Sequence, residues 1–205
     1  MSSSPFREDE MSFDKFKEIV DSYDDKEIEI QLEGGEPTIH TAFWLFVEYS
    51  FYKKNVSRII IDTNGHNLSK IIDHLVEISE RYKKKLLIKA SDNHYIRDKR
   101  GNKIVDEYIS LISALEFVEY TDLLINLRGY TQEEIDKLKN DYKKQTKDFT
   151  SYVNAFTFNR YGKAKNDKRL PEIIINRTVD KFHCYDSKGN YYGEDLYKRA
   201  ENEEK

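Results

Sequence analysis

The chain has 205 residues, 38% hydrophobic and 35% charged, with a net charge of −4 from 34 Lys and Arg against 38 Asp and Glu. That length suits one domain with a real core, and the interspersed, slightly acidic charge excludes the one-sided basic surface of a nucleic-acid binder. A single cysteine, Cys184, excludes an intrachain disulfide or a cysteine-rich metal site built from these residues, and no run reaches the roughly 20 apolar residues that span a bilayer.

The first residues, Met1-Ser2-Ser3-Ser4-Pro5, lack the basic-then-apolar pattern of a signal peptide, so a cytoplasmic location is expected. Ser12 then reads as the cap of a helix carrying Phe13, Phe16, Ile19, Val20 and Tyr23 at helical spacing. Residues 28–32 alternate as a strand and end in Gly34-Gly35-Glu36-Pro37. Paired glycines let backbone groups approach a ligand that side chains would exclude, and Glu36 sets a negative charge beside them. A tight strand-to-helix turn explains the same four residues equally well. An aromatic-rich helix is predicted over 38–54, with Phe43, Trp44, Phe46, Tyr49, Phe51 and Tyr52 wrapping more than one stripe.

A short buried strand at 59–61 stops at Asp62-Thr63-Asn64-Gly65, and Leu68, Ile71, Ile72, Leu75, Ile78 and Tyr82 mark the next helix. Its basic end, Arg81-Tyr82-Lys83-Lys84-Lys85, suits a helix C-terminus, where cations complement the dipole. A third strand at 86–88 ends at Ala90-Ser91-Asp92-Asn93. A charged loop with Gly101-Asn102 leads to a helix carrying Ile104, Val105, Tyr108, Ile109, Ile112 and Leu115. The strand at 123–125 ends at Asn126-Leu127-Arg128-Gly129, and Thr131 with Glu134 makes a capping box for the helix that follows. Residues 152–158 read as the last strand of the series, ending at Asn159-Arg160-Tyr161-Gly162.

Strands recur about every 30 residues with a helix between, the signature of right-handed βαβ units and a parallel sheet. In such sheets ligands bind at the carboxyl ends of the strands, so these polar ends are expected to converge. The tail differs: 173–176 and 182–185 look like short strands, and Asp186-Ser187-Lys188-Gly189-Asn190 looks like a hairpin turn. Residues 199–205 are charged and expected to fray.

With Gly34-Gly35-Glu36-Pro37, Asp62-Thr63-Asn64-Gly65 and Asn159-Arg160-Tyr161-Gly162-Lys163-Ala164 in this order, the chain resembles the radical S-adenosylmethionine superfamily over about residues 11–165. These marks fall where the second, third and sixth strands of that fold end, and Ser91 and Asn126 fall at the fourth and fifth. The resemblance implies an α/β fold, a partial (β/α)6 TIM-like barrel with parallel strands that holds S-adenosylmethionine across its strand ends. It implies that Gly34, Gly35 and Glu36, followed by Pro37, hold the methionine amine. Ser91 and Asn126 would lie near the carboxylate and ribose, the Asn159 region would approach the adenine, and Thr63, Asn64 and Gly65 would line the floor. Relatives generate a 5′-deoxyadenosyl radical for hydrogen abstraction, here with a peptide or protein as the possible substrate.

One departure is large. Family members ligate a four-iron four-sulfur (4Fe-4S) cluster with three cysteines spaced CxxxCxxC after the first strand. No cysteine precedes residue 184, and no apolar strand precedes the Ser12 helix. The expectation is therefore a first βα unit that is incomplete, with 1–11 as lead-in, 12–165 as core and 166–205 as a hairpin-bearing extension. The core would be either a truncated product or a non-catalytic binding module, with an open sheet edge available for association.

An unrelated nucleotide-using α/β enzyme is disfavoured, because neither a Walker lysine pattern nor a GxGxxG turn is present. His66, His74, His94 and His183 have no close-spaced partners that would make a metal site. Cys184 reads as a small strand-borne hydrophobe.

Overall fold

β1 (Ile28–Leu32) spans the predicted residues, and the apolar runs at 59–61, 86–88 and 123–125 become the middles of longer strands, β2 (Val56–Thr63), β3 (Lys85–Asp92) and β4 (Thr121–Arg128), followed by β5 (Val153–Phe156). They come from a computed structural model that describes residues 10–143, 153–156, 167–170 and 183–193. All five strands pair parallel in the order β1-β2-β3-β4-β5. Sequential order winds a sheet in one direction, as barrels do, whereas doubly wound sheets reverse. The predicted α/β class and parallel sheet are present.

Helices α1 (Phe13–Asp21), α2 (Phe43–Tyr52), α3 (Leu68–Tyr82), α4 (His94–Arg100), α5 (Lys103–Leu115) and α6 (Gln132–Lys143) lie before and between the strands. Their ends follow local chemistry. Ser12 Oγ accepts the Lys15 amide at 3.2 Å and starts α1. The Thr131–Glu134 capping box closes as read, with the Thr131 amide donating to Glu134 Oε2 at 2.7 Å and the Glu134 amide to Thr131 Oγ1 at 3.3 Å. No helix among the described residues is long and apolar enough to cross a membrane.

Side chains alternate between the two faces of a strand. Ile30 and Leu32 of β1, Ile59 and Ile61 of β2, Leu86 and Ile88 of β3, and Leu123, Ile125 and Leu127 of β4 form one core with residues of all the longer helices. Phe46 and Phe51 enter it from α2, Leu75 and Ile78 from α3, Ile104 and Ile112 from α5, and Leu138 from α6. Each such side chain contributes about 1.5–3 kcal/mol on burial. Ile60 is also buried, yet it stands outside that core because it points to the other face.

Two local predictions differ from the structure. The helix expected over 38–54 is broken: residues Pro37–Ile39 form a 3-10 turn and α2 begins only at Phe43. Side chains take the backbone donors there, Glu36 accepting from the Thr38 amide at 3.2 Å and His40 Nδ1 from the Ala42 amide at 3.0 Å. The charged segment expected as a loop after β3 contains α4, capped by Asn93 Oδ1 on the Ile96 amide at 3.0 Å and stopped at Gly101. At the tail, the predicted hairpin forms between β6 (Cys184–Tyr185) and β7 (Tyr191–Gly193). It docks beside the end of α1 through Tyr23 and Tyr185, whose hydroxyls lie 2.7 Å apart. The strand expected at 173–176 and the end of the last strand near Asn159 lie outside the described residues.

One charge is set deep in the helix-covered side. Asp92, fully buried at the end of β3, accepts Arg97 Nε at 2.7 Å and Arg97 Nη2 at 2.5 Å. Tyr130 and Tyr142 donate their hydroxyls to the same carboxylate at 2.9 and 3.1 Å. Burial pushes both phenols well above their ordinary range, and the Asp92 charge adds to that effect. One carboxylate thus ties β3 to α4, to the end of β4 and to α6. Replacing Asp92 with Ala strands a buried guanidinium and should cost about 3–5 kcal/mol. Tyr142→Phe removes one hydrogen bond and should cost about 1–2 kcal/mol. Urea denaturation of the two variants checks the ranking, and equal losses would refute it.

Candidate functional site

The predicted site residues lie along the carboxyl ends of the strands, where the backbone leaves the sheet. Gly34 and Gly35 follow β1 without positive φ, and a Cβ at Gly34 would meet nothing within 4 Å. Neither turn geometry nor packing requires glycine at residue 34. Open space over backbone at that position is what a ligand cradle needs. Pro37 opens the 3-10 turn that follows.

Glu36 serves first as a brace. Its Oε1 accepts from the Thr38 amide at 3.2 Å, from Thr38 Oγ1 at 2.6 Å and from Thr63 Oγ1 at 2.7 Å, while Oε2 accepts the Asn64 amide at 2.7 Å. These bonds staple the end of β1 to the end of β2. Only Oε2 keeps acceptor capacity for an outside donor. Thr63 Oγ1 in turn accepts the Gly65 amide at 3.1 Å. Gly65 has φ +74, and a Cβ there would strike the Tyr108 hydroxyl, so this turn needs glycine on two counts.

Tyr108, buried on α5, carries the arc onward. Its hydroxyl stands 3.3 Å from the Asn64 carbonyl and 3.1 Å from the Ser91 carbonyl. Ser91 pairs in register with Asn126 on β4. Asn126 is 1% exposed, and its buried Oδ1 has no hydrogen-bond partner. An orphaned buried acceptor of this kind signals a missing donor. Gly34, Gly35, Glu36, Pro37, Thr63, Asn64, Gly65, Ser91 and Asn126 therefore share one strand-end arc. Asn159 lies outside the described residues.

Four further residues, Gln31, Asp62, Lys89 and Arg128, join Asn126 on the same surface and were not singled out as site residues from the sequence. Alternation and register put Gln31, Asp62, Lys89, Asn126 and Arg128 on the face opposite the helix-covered core. Gln31 Nε2 donates to Asp62 Oδ2 at 2.6 Å and to Glu33 Oε2 at 2.9 Å. Arg128 reaches across β3 to within 3.5 Å of Asp62 Oδ1. Lower on the face, Arg58 bonds Glu29 at 2.7 Å. The signal was present in the strands: Arg58 and Asp62 in β2, Lys85 and Lys89 in β3, and Asp122 and Arg128 in β4 fall on one alternating set of positions, and a strand buried on both faces does not carry such charges.

Burial pushes the Asp62 carboxyl up to about 6 and the Glu33 charge adds to it, while Lys89, Arg128 and the Gln31 amide pull it down. Among the described residues no three His, Cys, Asp or Glu side chains converge as metal ligands. A separate groove of about 480 Å³ lies on the helix side, lined by His94, Arg97, Tyr130, Glu134 and Lys137 among others. It touches none of the strand-end arc.

Asp62 gives a pH signature with a definite sign. The folded protein holds its proton more tightly than the unfolded chain, whose value lies near 3.8. The resulting stabilisation is full below that value and is lost as pH rises through about 6. Asp62→Asn should flatten this slope, making the variant more stable than the parent above pH 6 by on the order of 1 kcal/mol and no more stable below pH 4. Denaturant midpoints measured across that range check it, and parallel curves for the two proteins would contradict it.

Comparison with protein-family models, with curated proteins and with solved structures finds no match to this chain.

Proposed function

We propose that this chain binds S-adenosylmethionine by its amino-acid end, across the carboxyl ends of β1 to β4 on a partial radical S-adenosylmethionine-like barrel. The observation that carries this reading is the segregation of charge on the open face. Carboxylates Glu33, Glu36 and Asp62 come from the ends of β1 and β2, and the cations Lys89 and Arg128 from β3 and β4. An amino-acid zwitterion has the same polarity. Its ammonium belongs toward Glu36 Oε2 and the Gly34-Gly35 backbone, its carboxylate toward Arg128, with Ser91 and Asn126 between. The one-way strand order is consistent with the barrel.

The four-iron cluster of the family takes three thiolates and would supply the electron that cleaves the sulfonium bond. These residues supply one thiolate, Cys184, in the tail hairpin beside α1. They do not fit that group, and the role that their geometry supports is binding. The single thiolate favours a second reading, a non-catalytic module that retains the ligand cradle. Formation of 5′-deoxyadenosine by this chain alone under reducing conditions would overturn that second reading.

Calorimetric titration with S-adenosylmethionine should give saturable binding with a dissociation constant of about 1 mM or tighter. L-Methionine should compete and adenosine alone should not. Arg128→Gln should weaken binding about tenfold, the scale of one lost charge-assisted contact. Absence of saturable heat at millimolar ligand, or binding indifferent to Arg128, would remove the assignment.

A further inference from the structure

We infer that Asp62, with the Glu33 carboxylate beside it, is a proton-binding site, and that a ligand carboxylate seated on Arg128 draws a proton from solvent onto it. The inference rests on the reading proposed above and adds a regulatory property to the same face.

Three observations carry it. First, two carboxylates converge on one nitrogen: Gln31 Nε2 serves Asp62 at 2.6 Å and Glu33 at 2.9 Å. A second carboxylate held this closely raises the cost of ionising Asp62. Second, Asp62 Oδ1 is buried without a hydrogen-bond donor, and Arg128 Nη2 approaches it at 3.5 Å, beyond hydrogen-bonding distance. Asp62 Oδ1 is therefore stabilised by nearby charge and not by a directed bond. Third, Lys89 and Arg128 both favour the Asp62 charge, so engagement of Arg128 by a ligand removes part of that compensation and leaves Lys89 in place. Lys89 is the register neighbour of Asp62 on β3, and Glu29 is already matched with Arg58 at 2.7 Å further down the sheet.

A carboxylate ligand competes with Asp62 for the same guanidinium. When it wins, Asp62 loses part of its compensating charge while Glu33 stays beside it, and a proton restores the balance. Asp62 thus holds the place of the ligand carboxylate in the unliganded protein and becomes neutral when displaced. Binding then strengthens as pH falls, by up to about tenfold per unit when one proton is taken up. The protein would hold its ligand better at mildly acidic pH.

The test has two arms. In the first, S-adenosylmethionine is titrated near neutral pH in two non-phosphate buffers of different ionisation heat. The heats should differ by an uptake of about half to one proton per ligand. Asp62→Asn should abolish that difference while binding persists, and Glu33→Gln should reduce it. Equal heats in the two buffers with the parent protein, or an unchanged difference in Asp62→Asn, would overturn the inference while leaving the binding assignment intact. The second arm needs no ligand: the Asp62 side-chain carboxyl carbon is followed by NMR against pH. Arg128→Gln should shift its midpoint upward, and an unmoved midpoint would overturn the inference regardless of what the calorimetry shows. A shifted midpoint with no S-adenosylmethionine binding would keep the Asp62 proton site, remove ligand-driven uptake, and fail the binding assignment separately.

Discussion

The strict alternation of side chains along five parallel strands is the constraint from which the rest of this structure follows. One face of the sheet meets the helices, and inward positions there are apolar or, like Asp92, hydrogen-bonded, because a polar group taken out of water without a partner is costly. Ile59, Ile61, Leu86, Ile88, Leu123 and Ile125 satisfy that demand. The other face carries no such requirement near the strand ends. Gln31, Asp62, Lys89, Asn126 and Arg128 occupy it. Strand register then converts five separate polar residues into one surface.

Polar groups on a partly buried face have to satisfy one another, and the pairings show how far that succeeds. Glu29 and Arg58 match directly. Gln31 divides its amide between two carboxylates. Asp62 Oδ1 and Asn126 Oδ1 end without hydrogen-bond partners. Incomplete satisfaction marks a site more clearly than the presence of charge does, since native interiors leave few such atoms. Contrast Asp92, one position beyond Ser91 and therefore on the opposite face. There a guanidinium and two phenols fill the carboxylate's acceptor positions, and the group acts as a structural tie between four elements.

Much of the candidate site could be read from the chain order of a few polar strand ends. The Gly34-Gly35-Glu36-Pro37 and Thr63-Asn64-Gly65 segments pointed to adjacent strand termini, and Glu36 does bond Thr63 and Asn64 directly. Their roles were less legible. Glu36 looked like a ligand carboxylate, yet most of its acceptor capacity goes into bracing the two loops. Gly65 looked like part of a floor, and its left-handed backbone together with Tyr108 gives a folding reason for it. Tyr108 read only as a core position of its helix, and Asp62 and Arg128 only as parts of strand-end segments, because the contacts that give them a role come from distant residues.

The sequence by itself determined the alternation of the longer strands and helices and the apolar face of each, though not α4 or the 3-10 turn before α2, because hydrophobic periodicity and capping residues act over a few positions. Ser12 and the Thr131–Glu134 box show this at two helix starts. Only the tertiary structure decided which polar residues meet. Arg128 reaches Asp62 across an intervening strand, and Gln31 joins Asp62 from 31 positions away. Such contacts depend on register and on which face each residue takes, and a shift of one residue would reverse both.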